Sequence, residues 1–515
     1  MKKIFFGATS LVFLMAGVAK AQYEGYPALF GRQLFNGGTA RYVAIGGAGT
    51  SLGADMSAAY VNPAGLGMYR KSEFSFSPII GVSGSNASYL GESDHDSKGS
   101  FGISNLGIAI CSNKDDLDKS DWRGGTFSIG MNKTNSFYNR ISFSGTDNAS
   151  MADYFAQLAD GTSSTTLDAQ DPNGAGISSL AGLAYWTYLI NPVTTGGSQY
   201  TDGITDETFA KQATYTTKGS QSTWNISYGG NYKDKLFIGG GLGITTISFK
   251  EDLSYTETTQ FDSTGATNVF NNFTFNDYNT IKGTGVNFKL GYIYKASDVV
   301  RFGTTITTPT YYWMNQQYSS DLTASYPSNL TDSHGNPLGT QSQSTSVGYF
   351  KFNYTTPVKI ASGISLFAGK AGFISADVEY VPYQLSDLSG RSSSDDKYLK
   401  PYNKIVSNTY KNVLNLRVGG EVRIDIFRLR AGLAYLPNPY NYNDNVNRNV
   451  AQISGGAGIR VDDVYFDIGV VNSRFQSSYK TYTLPYNDPT IPQGSTAISK
   501  NSMVNVVLTM GFYFE

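Results

Sequence analysis

The last segment of the chain alternates between apolar and small or polar residues, and this period of two constrains the fold more than any other feature. Successive side chains of a β-strand point to opposite faces, so the segment is predicted to be a strand with one apolar face. The apolar face carries Val504, Val506, Leu508, Met510, Phe512 and Phe514. The other face carries Asn505, Thr509, Gly511 and Glu515. Soluble sandwiches and membrane barrels both use such strands, and only the arrangement of all the strands separates them.

Similar alternation recurs along the chain and predicts fourteen strands. They lie near residues 73–83, 101–111, 122–143, 222–232, 236–249, 281–294, 300–311, 348–366, 372–383, 412–424, 427–435, 451–459, 464–475 and 502–514. Long connections begin near residues 84, 145, 250, 313, 384, 436 and 476, and they alternate with brief polar turns. Long outer loops and short periplasmic turns are typical of an up-and-down membrane barrel with an even strand count. We therefore predict an all-β fold, a fourteen-stranded antiparallel transmembrane β-barrel over residues 73–515, in which the segment 122–143 is long enough to be split.

Charged side chains fall on the face opposite the apolar one. Near residues 412–424, Leu414 and Val418 share one face, whereas Arg417 and Glu421 share the other. An Arg or Lys on the lipid face would cost roughly 2 to 4 kcal/mol at the midplane of the bilayer. The charges are therefore expected to face the lumen.

The beginning of the chain predicts export. Lys2 and Lys3 precede an apolar stretch, residues 4–18, which ends in the small-x-small pattern Ala19-Lys20-Ala21. This pattern predicts a secretory signal peptide over residues 1–21, with Gln22 as the mature N-terminus. The alternative is a membrane anchor, but the stretch is shorter than the roughly 18 to 20 residues that a spanning helix needs.

The composition favours a barrel in a bacterial outer membrane. The chain has 57 Gly, 37 Tyr and 30 Phe, and only 15% of its residues are charged, which is too few to solvate an ordinary surface of this size. Tyrosine-rich, charge-poor chains suit aromatic girdles around an apolar band. Cys111 is the single cysteine, so no intramolecular disulfide is available. The formal net charge of −1 gives no reason to expect a nucleic-acid partner.

Residues 22–72 precede the first predicted strand and are rich in Gly and Ala. A fourteen-stranded barrel is wider than the eight-stranded size that side chains alone can fill, so its lumen needs an occupant. The segment has apolar side chains to bury, which are Leu52, Met56, Tyr60, Val61 and Leu66. We predict that it is an N-terminal hatch that plugs the lumen. The alternative is a disordered periplasmic leader.

The predicted hatch contains Asn62-Pro63-Ala64 and the segment of residues 38–41, and the predicted strands contain the segments 375–380 and 415–419. In these segments the chain resembles the outer-membrane long-chain fatty-acid transporter family, the FadL/TodX group of hydrophobic-compound channels. It implies a fourteen-stranded barrel with a hatch, and passive uptake of hydrophobic small molecules such as long-chain fatty acids, without an energy source. It also implies capture in an outer groove, an internal site, and lateral release between strands into the lipids of the outer membrane.

The second long loop contains an apolar stripe at helical spacing. The candidate ligand groove consists of Leu180, Leu183, Trp186 and Tyr188. An equally simple interpretation is that the stripe packs the loop onto the barrel rim, because amphipathic helices usually bury one face.

A ligand with a carboxylate head group would need cations inside the barrel. The lumen-facing candidates are Lys289, Arg417, Arg423 and Arg140. Carboxylates are predicted on the same face, at Asp377, Glu379, Glu421 and Asp467. Salt bridges that hold the hatch and barrel together would therefore explain most of these cations equally well.

Two other functions are open alternatives, a haemin receptor and a structural or adhesive barrel that acts through its long loops. Haem iron is usually held by His, Met, Cys or Tyr. The two histidines, His95 and His334, fall in predicted outer loops beside acidic residues and are interpreted as solvated. No spacing resembles a metal site or a Ser-His-Asp triad, so we expect no metal, no cofactor and no catalysis. A removable plug favours transport over adhesion.

Overall fold

The computed structural model describes residues 25–35, 37–114, 120–204, 207–260, 269–332, 334–486 and 491–515. The predicted signal peptide, residues 1–21, lies outside the described residues. The described residues form a closed antiparallel barrel, a segment that packs inside it, and a set of outer connections that carry short helices.

Fourteen strands follow one another in chain order around the barrel. The first seven are β1 (Ser72–Tyr89), β2 (Glu92–Asn113), β3 (Trp122–Ser136 and Asn139–Asp147), β4 (Phe209–Tyr232), β5 (Leu236–Thr259), β6 (Asn272–Lys295) and β7 (Val300–Thr307 and Tyr311–Ser325). The others are β8 (Thr340–Ser344, Gly348–Thr355 and Lys359–Phe367), β9 (Gly372–Pro382 and Asp387–Gly390), β10 (Asn412–Ile424), β11 (Phe427–Leu436), β12 (Val450–Val461), β13 (Val464–Tyr479) and β14 (Ala497–Phe514). β1 pairs with β14 from Ser72↔Phe514 onward, which closes the barrel. The predicted fourteen-stranded antiparallel barrel is confirmed.

The helices lie before β1 and in the outer connections. The segment before β1 contains a π-helical turn (Pro27–Gly31), α1 (Ala40–Ala44), α2 (Ala58–Val61) and a 3₁₀ helix (Pro63–Met68). The connection between β3 and β4 contains α3 (Met151–Ala159), α4 (Ser164–Asp168), α5 (Leu180–Trp186) and the paired segments Asn191–Pro192 and Tyr200–Thr201. A 3₁₀ turn (Tyr383–Leu385) interrupts β9, and α6 (Ser393–Thr409) lies between β9 and β10. Among the residues described, none of these helices has both the length and the apolarity to cross a membrane.

The outer ends of the strands extend further than the sequence predicted. The long connection expected near Gly84 is wrong, because β1 and β2 continue to pair as far as Tyr89↔Glu92. Their two-residue turn is Leu90-Gly91, and both residues have positive φ, 49° and 90°. β4, β5 and β6 contain 24 residues each, whereas a membrane-spanning strand needs about 9 to 11. More than half of each strand therefore lies outside the bilayer.

The two faces of β5 exchange their polarity at the edge of the bilayer. Below this point the outward face carries Ile238, Leu242 and Ile244, and the inward face carries Gly239, Gly241, Gly243 and Thr245. Above it the outward face carries Thr246, Ser248 and Lys250, whereas Ile247, Phe249, Leu253 and Tyr255 are buried inside. Lipid selects an apolar outer face in the first part, and water selects a polar outer face in the second. This exchange explains why the predicted strand, residues 236–249, is shorter than the observed one. The prediction followed a single apolar face and ended where that face becomes polar.

Residues 25–35 and 37–69, called the hatch below, lie in the lumen, because they contact strands on all sides of the closed barrel. The backbone of the hatch contacts glycines of the wall strands. At these glycines a Cβ atom would collide with the hatch backbone. A Cβ at Gly432 on β11 would lie 2.2 Å from the amide nitrogen of Gly46, and one at Gly303 on β7 would lie 2.3 Å from the carbonyl oxygen of Thr50. Similar contacts occur on other strands, at Gly239, Gly419 and Gly469.

The connection between β3 and β4 covers the outer end of the barrel as a compact dome. Its helices α3 and α5 pack on each other and on the inward faces of the extended strands in one apolar core. Ser150 caps α3 by accepting from the amide of Ala152, and Ser179 caps α5 by accepting from the amide of Gly182. Side-chain oxygens at these positions satisfy amide groups that would otherwise lack partners at a helix start. The dome is therefore folded structure rather than a mobile loop.

Candidate functional site in the barrel lumen

Asn62 in the predicted hatch motif joins the hatch to two wall strands. Its Nδ2 donates to the carbonyl oxygens of Thr50 (2.7 Å), Tyr292 on β6 (3.2 Å) and Thr304 on β7 (3.4 Å). Its Oδ1 accepts from the amide of Ala64, so Asn62 also caps the 3₁₀ helix that begins at Pro63. The side chain is buried, and its Nδ2 bonds to both the hatch and the wall, whereas its Oδ1 bonds within the hatch.

A cavity of about 90 Å³ lies between the hatch and the wall strands β4–β10. Threonines and amides make up about half of its lining, which also includes the side chains of Lys289, Lys359, Arg417 and Glu379. Among the described residues that line it, three are cations and one is an anion. Its small volume suits the head group of a solute rather than a long alkyl chain.

The three cations of the cavity have different partners. Arg417 Nη2 binds Glu379 Oε1 at 3.0 Å. Lys289 donates to the carbonyl oxygen of Tyr60 and lies 4.1 Å from the centre of the Tyr60 ring. Lys359 donates to the carbonyl oxygen of Gly31 at 3.2 Å. Both lysines therefore hold the hatch through backbone carbonyl groups, which are weaker partners for an ammonium group than a carboxylate would be.

The predicted cation Arg423 lies in a separate ion-pair network near the periplasmic end. Glu421 on β10 binds Arg423 at 2.8 Å, Arg430 at 2.7 Å and Arg41 of the hatch at 3.5 Å. Arg430 also binds Asp467 at 2.7 Å. The expected salt bridges between hatch and barrel are present here, so the structure gives Arg423 a structural partner.

Arg140 does not face the lumen, and this part of the prediction is wrong. Its side chain is half exposed and pairs with Asp96 at 3.0 Å, whereas its neighbour Ile141 points inward and is buried. The cause is one extra residue in β3. Lys133 pairs with Ser222 on β4 and Asn135 pairs with the next residue, Gln221, so Thr134 between them is a bulge residue. A single inserted residue exchanges the faces of every position beyond it.

An aromatic layer lies next to the cavity, and sequence reasoning missed it. It consists of Tyr26 and Phe30 from the hatch, Phe137 from the interruption of β3, and Phe249, Tyr312, Phe352 and Tyr354 from the wall. Tyr26 stacks on Phe352 at 5.6 Å, and Phe30 meets Phe137 edge-on at 5.9 Å. Phe30 and Tyr312 also line the cavity, so the apolar and the cationic regions adjoin. These residues come from five separate parts of the chain, and no local pattern marks them.

The wall has a gap in its hydrogen bonding between β2 and β3. Their pairing stops at Asn105↔Asn132, although both strands continue. One bulge residue borders the gap on each side, Ser104 on β2 and Thr134 on β3. Ser104 Oγ donates to the carbonyl oxygen of the hatch residue Gly38 at 2.7 Å. Pro78, opposite Ile103, is the one sequence signal for this irregularity, because proline within a sheet is found at bulges and edges.

The four groove candidates occupy different environments in the dome. Leu180 and Leu183 are buried in the dome core, with 4% and 0% of their surface exposed. Trp186 is partly buried, and its Nε1 donates to the carbonyl oxygen of Leu167 at 3.0 Å. Tyr188 follows α5 with φ 61° and is 39% exposed. The structure therefore does not bring all four side chains to one open groove.

The two histidines lie on the outer surface. His95 is at the tip of the β1–β2 hairpin opposite Asn86, and His334 lies in the β7–β8 connection, where its amide donates to Asp332. Among the described residues, no group of three His, Cys, Asp or Glu side chains is placed to hold a metal ion.

Solved structures share this fold. One is a Pseudomonas aeruginosa FadL homologue, with 12% identity, 93% of this chain and 99% of that chain covered, and a TM-score of 0.56. Another is the TodX monoaromatic hydrocarbon channel with a deltaS2 mutation, with 11% identity, 94% and 99% covered, and a TM-score of 0.50. No family model and no curated protein sequence matches the chain. The likeness establishes the fold, and with the apolar outer band of the barrel it places the chain in a bacterial outer membrane.

Proposed function

We propose that the protein is a channel for the passive uptake of hydrophobic small molecules with an anionic head group, such as long-chain fatty acids. The observation that carries the proposal is the contact between the aromatic layer and the gap in the wall. Phe137 lies in the interruption of β3 and packs on Phe30 at 5.9 Å and on Phe249 at 5.4 Å. An apolar region in the lumen thus reaches the position at which the wall strands separate.

The cavity would receive the head group of the solute. A carboxylate that entered it would find Lys289 and Lys359 bound to carbonyl oxygens of the hatch, and it would offer each ammonium group a charged acceptor in place of a neutral one. The apolar chain would then displace aromatic contacts of the hatch in the neighbouring layer. Both exchanges loosen the hatch, which in the empty barrel closes the lumen.

Capture would occur on the dome at Trp186 and Tyr188, the two groove candidates with exposed surface. Leu180 and Leu183 would support this site from the core beneath. The titles of the similar solved structures describe a FadL homologue and a monoaromatic hydrocarbon channel, which agrees with an apolar solute. The proposal assigns no catalytic step and no cofactor to the chain.

Release would be lateral, through the gap between β2 and β3. Strand pairing ends there, and the inner side of the gap is backed by hatch residues rather than by a wall strand, as the bond between Ser104 and Gly38 indicates. A hatch that moved away would leave an opening toward the lipid. Bulges commonly end strand pairing at functional sites.

Deletion of Thr134 tests this route, because it removes the bulge and lets β3 continue in register beside β4. The matched control is Thr134→Ala, which keeps the bulge and loses only the bond from Oγ1 to the carbonyl oxygen of Gln221. Binding of a fluorescent long-chain fatty acid would be measured on purified protein, and uptake in cells that lack another fatty-acid channel. We expect the deletion to leave binding nearly unchanged and to slow uptake about tenfold or more.

Wild-type protein that gives no uptake above that of control cells would overturn the channel proposal and favour a structural or adhesive barrel. Uptake by the deletion variant at the wild-type rate would instead show that the solute leaves by another route. Heat modifiability on gels would verify that each variant forms a folded barrel.

A further inference from the structure

Four lysines form one patch on the outward face of the barrel above the apolar band. They are Lys218 on β4, Lys250 on β5, Lys282 on β6 and Lys351 on β8, and all four are exposed. Lys218 is directly opposite Lys250. Lys282 and Lys351 are both opposite Asn315, which lies on β7 between them. The basic patch is not a consequence of composition, because the whole chain has 39 basic and 40 acidic residues.

The basic patch has little negative charge of its own. Lys250 pairs with Asp252 at 3.0 Å. Within the part of the chain that the structure describes, Lys218, Lys282 and Lys351 form no ion pair within 4 Å. Like charges directly opposite each other in a sheet are destabilising. The facing pair Lys218 and Lys250 therefore has a cost in the isolated protein that a bound anion would remove.

The height of the basic patch indicates which anion it meets. The apolar band ends at Trp224 on β4, at Ile244 on β5, at Val286 on β6 and at Trp313 on β7. Lys218 and Lys250 stand six residues beyond its end, which corresponds to about 20 Å along a strand and about 15 Å above the band at a tilt of about 40°. Lys282 and Lys351 are opposite Asn315, two residues beyond Trp313, or about 5 Å above the band. An ordinary headgroup layer is only about 5 to 8 Å thick. The phosphates of ordinary phospholipids therefore lie below Lys218 and Lys250, whereas Lys282 and Lys351 lie at the level of the headgroup layer.

Lys282 and Lys351 are placed to hold one anion together. Two strand spacings separate their backbones, or about 10 Å, and Asn315 occupies the middle strand. Lysine side chains are long and flexible, and ammonium groups bind phosphate as point charges. The Asn315 amide can add a hydrogen bond between them.

We propose that the basic patch binds the phosphorylated saccharide of a glycolipid in the outer leaflet of the membrane. The sugar raises a phosphate above the headgroup layer, to the level of Lys218 and Lys250, while Lys282 and Lys351 bind the lipid at the headgroup layer and the acyl chains lie along the apolar band. The lipid would hold β4–β8 from outside, on the side of the barrel that also lines the cavity. The inference does not depend on the proposed transport function.

The test compares the double variant Lys282→Gln/Lys351→Gln with the wild-type protein. Binding of a phosphorylated disaccharide glycolipid, of its dephosphorylated form and of phosphatidylethanolamine would be measured by native mass spectrometry of the purified barrel. We expect wild type to prefer the phosphorylated glycolipid over both others by about tenfold or more, and the double variant to lose about tenfold in its affinity. Lys370→Gln is the matched control, because this exposed lysine lies in the β8–β9 turn at the periplasmic end.

Equal binding of the phosphorylated and dephosphorylated glycolipids would overturn the proposal, and so would wild-type affinity in a folded double variant. Equal binding of phosphatidylethanolamine would assign the basic patch to phospholipid and would also overturn it. Displacement of the glycolipid by millimolar inorganic phosphate would show a site for the free ion. Fatty-acid binding by the double variant is expected to remain at the wild-type level.

Discussion

At the scale of single residues, the wall glycines decide how closely the hatch fits. Gly432 and Gly419 accept the backbone of residues 45–46 at distances that leave no room for a side chain. Gly455 lies on the neighbouring strand, and a Cβ atom there would have its nearest contact at 3.6 Å, which is ordinary packing distance. Glycine is therefore required for the close contact at positions 419 and 432, whereas position 455 has room for a side-chain methyl group.

Gly432→Ala is expected to loosen the hatch while the barrel stays folded. Overpacking of this kind costs typically 1 to 3 kcal/mol, which corresponds to about a 5- to 150-fold change in an opening equilibrium. Hydrogen exchange of the backbone amides in residues 40–49 should accelerate by that range. Gly455→Ala is the control and should leave these rates unchanged. Equal rates in the two variants would show that the hatch does not depend on its contact with β11.

At the scale of elements, two opposite effects act on a carboxyl group at the start of helix α3 in the dome. The helix dipole favours its ionised form, and burial favours its protonated form. Asp153 lies in the first turn of α3, where the helix dipole favours a negative charge. Burial, together with the neighbouring carboxyl of Asp202, has the larger and opposite effect and raises the pKa of Asp153 from 3.8 to about 8. The pKa of Asp202 is raised as well, mainly by burial.

The dome is therefore expected to be most stable in acid. Because the pKa of Asp153 is higher in the folded state than in the unfolded chain, the folded dome keeps a proton that unfolding would release. This stabilisation is complete below about pH 4 and is lost as the pH rises through about 8. Corrected hydrogen exchange in α3 should be about tenfold or more faster at pH 9 than at pH 5.

Asp153→Asn should remove most of this pH dependence, because the amide stays neutral at every pH. The control is Asp171→Asn, which replaces an acidic residue in a turn of the same dome. A wild-type dome with equal protection at pH 5 and pH 9 would show that the two carboxyl groups do not hold a proton between them.

At the scale of the whole molecule, different parts of the chain close the barrel and fill its lumen. β1 pairs with β14 through wall residues alone, so the barrel closes with or without the hatch, apart from the gap between β2 and β3. Free edges are a liability that full closure removes. The segment before β1 fills the lumen and is not a strand of the wall, so its removal leaves the pairing between β1 and β14 intact.

Deletion of residues 25–71 should leave a folded barrel with a wider path for water. A fourteen-stranded barrel exceeds the width that inward side chains can fill, so single-channel conductance in planar bilayers should rise several-fold. Heat modifiability on gels is the control for folding. A deletion variant with wild-type conductance would mean that the segment is not a plug and that the outer dome closes the lumen.

The sequence by itself determined the number of strands, their order and the faces of most of them. This was possible because lipid on one side and a polar lumen on the other impose a local rule, a period of two, on every spanning segment. Leu414 and Arg417 fall on opposite faces for that reason, and Arg417 lines the cavity as predicted for a lumen-facing residue.

The positions at which this alternation is interrupted, and the side chains that come into contact in the lumen, depend on the tertiary structure. The extra residue Thr134 turned Arg140 outward, and no composition or spacing marks such a bulge. The cation Lys359 lines the cavity although nothing in its strand distinguishes it. The aromatic layer joins the hatch to side chains hundreds of residues away, including Phe30 with Phe249. Contacts of this kind depend on the closure of the whole barrel, whereas alternation depends only on the next residue and the medium around it.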